Sequence, residues 1–174
     1  MTNRFDSLYL QCISERRFLP LALAGALALS PGQSSAEPLG ASLNNPGNIR
    51  TTSDHWKGSS RDNREFVKFD QPVYGIRAVT KLLKTYKQKY GLNTIRGIIT
   101  RWAPPEENDT EKYIRNMVEY TGFGETDPLY LFDSKGKPNR DRIIKIVRGI
   151  MINEIGKEAS SKYQDSLIGR AINL

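Results

Sequence analysis

Pro72-Val-Tyr-Gly-Ile-Arg-Ala-Val-Thr-Lys-Leu-Leu-Lys-Thr-Tyr-Lys-Gln-Lys-Tyr90 decides the fold class of this chain. Ile76, Val79, Leu82, Leu83, Tyr86 and Tyr90 recur at steps of three and four, the period of a helix that buries one face. Pro72 suits the first turn, where its missing N–H costs nothing, and Gly91 is the expected stop. Lys81, Lys84, Lys87 and Lys89 then belong to a solvated face.

Working outward toward the C-terminus, Thr94 is the expected cap of a second helix carrying Ile95, Ile98, Ile99 and Trp102, which Pro104-Pro105 ends. A third helix has the start signal Asn108-Asp109-Thr110-Glu111, with Asn108 as cap and Glu111 reaching back. Its stripe is Tyr113, Ile114, Met117 and Val118, and Gly122 stops it. Phe123 to Lys137 reads as a loop in which Leu129 to Phe132 packs back on the core. A fourth helix runs from about Asn139 to Ile155, and a last amphipathic one carries Tyr163, Leu167, Ile168 and Ile172. Toward the N-terminus, Asn45-Pro-Gly-Asn48 must turn tightly. The extended Ile49 to Thr51 and the alternating Glu65 to Phe69 predict a small β-hairpin. The expectation is an α+β fold, mostly α: one helical domain over residues 44–174, of about five helices with a hairpin near its start.

Residues 1–36 read as a secretory signal peptide. Arg16-Arg17 precede an apolar run from Phe18 to Leu29, and Ser34-Ser35-Ala36 form a small-residue exit. The run is shorter than the roughly 20 residues a permanent membrane span needs. The region before Arg16 is long and carries Asp6 and Glu15, so either translation starts later or the segment is an uncleaved, weakly inserting anchor. Residues 37–43, with Pro38 and Gly40, read as a linker. Cys12 is the one cysteine, so an exported form would have no disulfide, no thiol nucleophile and no Cys-ligated zinc.

The formal charge is +7. Residues 1–36 hold Arg4, Arg16 and Arg17 against Asp6 and Glu15, leaving +6 on the remainder. A basic exported domain suits nucleic acid, an anionic membrane surface or an acidic wall polymer, and export favours the last two. No basic strand interleaved with aromatics and no recognition motif supports nucleic acid. The expected partner is bacterial cell-wall glycan.

The catalytic repertoire is narrow. His55 stands alone, without metal-ligand spacing, and no serine elbow, phosphate loop or dinucleotide loop is present, so no metal or cofactor is called for. Carboxylate chemistry remains, and glycoside cleavage needs only Asp and Glu. Glu107 is one candidate, beside the apolar wall of Trp102, Pro104 and Pro105 that could desolvate it; capping and the dipole at a helix start are the stronger explanation of it. Glu154 is the other, three and four residues beyond Met151 and Ile150 on an apolar helix, a spacing that favours partial burial. Asn45, Asn48, Arg50, Trp56, Trp102, Asn108 and Tyr113 form the set expected of a polar saccharide or peptide groove, although turns and core packing account for several of them.

Asn44-Asn-Pro-Gly-Asn-Ile-Arg50, Gly75-Ile-Arg-Ala78 and the long Asn93 to Thr110 segment containing Trp102-Ala-Pro-Pro105, followed by Tyr113-Ile114, resemble a family common in phages and prophages. Its members are usually labelled virion or structural proteins, and some look cell-wall directed. The resemblance covers roughly residues 44–156 and implies a phage-derived protein acting outside the cytoplasm, with other virion proteins as a further class of partner; it carries no catalytic residue onto this chain. A helical domain with an early hairpin is also similar to lysozyme-like folds. Against that, the sequence has no Glu closing a helix ahead of the hairpin. Two functions follow: a lytic enzyme or glycan hydrolase acting on peptidoglycan, or a non-enzymatic virion or wall-binding module.

Overall fold

The computed structural model describes residues 36–60 and 65–174. The expected signal peptide, except for Ala36, lies outside the described residues. Among the described residues seven helices follow in order: α1 (Leu39–Ser42), α2 (Pro72–Tyr90), α3 (Ile95–Trp102), α4 (Thr110–Thr121), α5 (Arg140–Ile155), α6 (Lys157–Ser161) and α7 (Asp165–Ile172).

Helix α5 is the centre of the packing. It touches α1, α2, α4, α6 and α7, while α7 also lies along α2 and α3 packs on α4. Ile143, Ile146, Val147, Ile150, Met151 and Ile155 of α5 are all buried, so its isoleucine density reflects contact on several sides. Each such side chain, fully buried, contributes about 1.5–3 kcal/mol. Helix α2 buries the stripe expected of it, including Ile76, Val79, Leu83 and Tyr86, and stops at Gly91 in the left-handed region. Thr94 caps α3, its Oγ1 accepting from the Gly97 N–H at 3.0 Å.

The start of α4 departs from the expected cap. Asp109, not Asn108, accepts the Lys112 N–H at 3.0 Å. Asn108 instead donates to the Pro104 carbonyl at 3.1 Å, closing the double-proline corner. Glu111 does not reach back; it pairs with Arg96 of α3 at 2.7 Å, and Arg96 also reaches Glu125 at 2.9 Å.

The small β-hairpin is not formed. Among the described residues, the extended pieces meet only at isolated antiparallel bridges, Arg50 with Phe66 and Ser59 with Phe69. The hydrogen bonds of this region go to several partners in turn: Val67 N–H to Ile49 O, Phe69 N–H to Leu43 O, and Asp70 N–H to Gly58 O. No two segments stay adjacent long enough for a ladder. The alternation still tells which side chains face inward, since Val67 and Phe69 are buried and Lys68 is exposed. The same holds at Leu129 to Phe132, where Leu129 and Leu131 are buried around an exposed Tyr130.

Two contacts lock the ends of the chain to the middle. A side chain on Gly75 would overlap the Asn44 carbonyl oxygen, so glycine lets the first turn of α2 press against the 44–48 turn. Leu39–Ser42, inside the stretch read as linker, is helical and buries Gly40 and Ala41. At the other end, Arg148 of α5 donates to the carbonyls of Ser160 and Tyr163 and pairs with Asp165 at 2.7 Å, which fixes α6 and the start of α7. Among the described residues no helix is long and apolar enough to cross a membrane.

Candidate functional site

Glu154 sits one residue before the end of α5 and is half-buried. Three segments converge on it. Trp102, the last residue of α3, donates its indole N–H to Oε1 at 2.9 Å. Tyr113, on the first turns of α4, donates its hydroxyl to the same oxygen at 3.1 Å. Asn48, from the Asn-Pro-Gly-Asn turn, donates to Oε2 at 3.0 Å and to the Glu154 backbone carbonyl at 3.1 Å. Asn48 holds φ 46°, a left-handed conformation that asparagine tolerates better than most residues, and this aims its amide back at α5.

Both carboxyl oxygens therefore act as acceptors. An indole N–H can only donate, and each carboxylate oxygen offers two lone pairs. The two donors on Oε1 occupy its pair, whereas Asn48 leaves one lone pair of Oε2 unspent.

The structure brings together Asn48, Trp102, Tyr113 and Glu154 from the set named on sequence grounds, and places the others elsewhere. Asn45 is fully buried and spends its amide within its own turn, donating to Ile49 O and Val67 O and accepting from Ile49 N–H, each at 2.9 Å. Trp102 is 5% exposed, so it supports the carboxylate from within the core and presents no open ring face. Arg50 pairs with Glu65 at 3.0 Å and lies over the Phe66 ring. Trp56 packs half-buried against the core. Glu107 and Asn108 belong to the corner built on the Pro104 carbonyl, which accepts from the Glu107 N–H at 3.2 Å. Among the described residues no three His, Cys, Asp or Glu side chains converge as metal ligands would.

Beside the Glu154 cluster, and sharing Tyr113 with it, an open groove of about 660 Å³ runs between α4 and the end of α5, reaching Lys157 of α6. Asn116, Tyr120, Ile152 and Asn153 line it, and the sequence reading named none of them. The available signal was positional: Tyr113, Asn116 and Tyr120 stand three and four residues apart on one face of α4.

The chain is 44% identical over 117 residues to Protein P5 of Pseudoalteromonas phage PM2, an alignment covering 64% of this chain and 73% of that protein. The chain belongs to the Protein P5 family. No family model matches it. Membership makes this a phage-related protein, as the resemblance implied. The segments that carry the resemblance also acquire physical roles here: the 44–50 turn supplies Asn48, the Trp-Ala-Pro-Pro segment supplies Trp102, and Gly75 lets α2 close on that turn.

Proposed function

We propose that this phage-related protein acts on the glycan of the bacterial wall, with Glu154 as its acid/base carboxylate. One observation carries the reading: a half-buried carboxyl group at a helix end is held in a single orientation by donors from three other segments, with a lone pair of Oε2 left over. Glycoside cleavage asks for such a group, positioned first and titrating second. In the proposed step the Oε2 proton passes to the glycosidic oxygen as the C–O bond breaks. The resulting carboxylate then takes a proton from the attacking water, or from a hydroxyl of the same sugar. Water leaves a new reducing end, and the internal hydroxyl leaves an anhydro terminus.

Chain order spoke against a lysozyme-like arrangement, since no Glu closes a helix ahead of the extended segment. In space α5 supplies one, because Glu154 hydrogen-bonds to Asn48 at the head of that segment. Export through residues 1–36 and a single functional domain over 44–174 belong to the same proposal.

A second reading, a non-enzymatic virion component or wall-binding module, is favoured by a different observation. All three donors on Glu154 come from the chain itself, as they would in a clamp whose purpose is to join α3, α4, α5 and the 44–48 turn. Incubation of the full chain with purified peptidoglycan, followed by mass analysis of soluble fragments, separates the two. Under the first reading wild-type protein releases fragments and Glu154→Gln lowers release by about 100-fold or more. Equal release by the variant overturns Glu154 as the carboxylate. Wild-type protein that co-sediments and releases nothing establishes the second reading.

A further inference from the structure

We infer that the groove beside Glu154 is a subsite for an N-acetylated sugar, and that Asn116 reads the acetamido group; this rests on the wall-glycan reading above. The orientation of the two asparagines in the groove follows from their partners. The Gly149 carbonyl can only accept, so the Asn153 amide nitrogen must face it, at 2.9 Å. That turns Asn153 Oδ1 toward Asn116, whose Nδ2 donates to it at 2.8 Å. Asn116 is thereby fixed by one N–H, and its Oδ1 and second N–H remain to meet a ligand.

An acetamido group offers the complement, one N–H and one carbonyl, and a sugar bearing only hydroxyls does not present that planar pair. Tyr120, one helical turn further along α4, is 47% exposed and supplies an aromatic surface for the apolar face of a pyranose ring. From Tyr113, which touches Glu154, to Tyr120 the helix rises about 10 Å, room for roughly two sugar rings. The groove thus starts at Tyr113, which donates to the Glu154 carboxyl group, and extends away from it along a row of polar and aromatic side chains, as a chain-binding subsite must.

The test is titration of full-length protein carrying Glu154→Gln, which prevents turnover, with chitotetraose and with cellotetraose, its counterpart without acetamido groups. Chitotetraose should bind at least about tenfold more tightly, one well-placed polar contact being worth about that factor. Asn116→Leu in the same background should abolish the preference, and the exposed-site variant Tyr120→Ala, which spares the core, should weaken chitotetraose severalfold. Equal binding of both sugars, or a preference that survives Asn116→Leu, overturns the subsite even where wild-type protein releases wall fragments. Acetamido preference in a protein that releases none leaves the subsite standing and overturns Glu154 catalysis instead.

Discussion

Replacing Asn45 by Ala tests whether the first asparagine of the Asn-Pro-Gly-Asn turn is structural. Its side chain is fully buried and makes three hydrogen bonds. Truncation leaves Ile49 O with a partner, because the Val67 N–H still donates to it at 2.9 Å. The Ile49 N–H and the Val67 carbonyl lose the bonds that Asn45 makes to them, in a place without room for water until the turn opens. Each stranded buried group costs about 1–3 kcal/mol, so the variant should lose roughly 2–6 kcal/mol. A domain of this size has about 5–15 kcal/mol in total, so the fold survives wherever the starting stability exceeds the loss. Urea unfolding followed by far-UV circular dichroism is the assay. With a slope of about 2 kcal/mol per molar, the midpoint should fall by roughly 1–3 M at unchanged slope. A loss under about 1 kcal/mol would falsify the structural assignment and return Asn45 to the candidate binding residues.

Gly75→Ala should destabilise by about 3 kcal/mol or more, at or beyond the top of the overpacking range, despite its gain in helix propensity, because the new methyl meets backbone at Asn44; a melting temperature at or above wild type refutes the close approach. Arg148→Met should cost about 1–3 kcal/mol by stranding the Tyr163 carbonyl, the Ser160 carbonyl keeping the Tyr163 N–H at 3.2 Å, and hydrogen exchange should rise first in residues 157–172. Arg96 holds the Glu111 carboxyl below its ordinary value of 4.5, chiefly by their hydrogen bond. A lowered folded-state pKa means the contribution is present above the unfolded value and lost as pH falls through the folded one. Glu111→Gln should therefore melt below wild type at pH 7, with a gap that closes as pH falls below the ordinary carboxylate range and shrinks in roughly 0.5 M salt; a gap independent of pH refutes the pairing.

The helices were legible because their information is local. The three-four spacing of Ile76 to Tyr86, the cap at Thr94 and the glycines at 91 and 122 each act within a turn or two. The hairpin was misread because alternation reports which face of a segment is buried and says nothing about who its neighbour is. Val67 and Phe69 point inward as expected, yet their N–H groups go to Ile49 and Leu43 rather than along one strand. Asn108 and Asp109 compete for one cap, and the Pro104 carbonyl, a need invisible in the helix pattern, takes Asn108. Glu154 was visible as an oddity on an apolar helix, but its partners lie 41, 52 and 106 residues away, and no spacing rule links them. The Asn116–Asn153 pair went unread for the same reason.

The Asn48–Glu154 contact also bears on the order of events as the chain folds. Its two residues are 106 positions apart, and bringing such distant points together costs about 4 kcal/mol of chain entropy before any bond is made. Helices α2 to α5 can gather through shorter separations, so the turn at 44–48 docks on a scaffold that already exists. A chain still being synthesised has its early turn long before it has residue 154. The carboxylate acquires its full set of donors only when residue 154 has been made and the early turn meets it, so a chain stopped short of that point carries the donors of the site without the site.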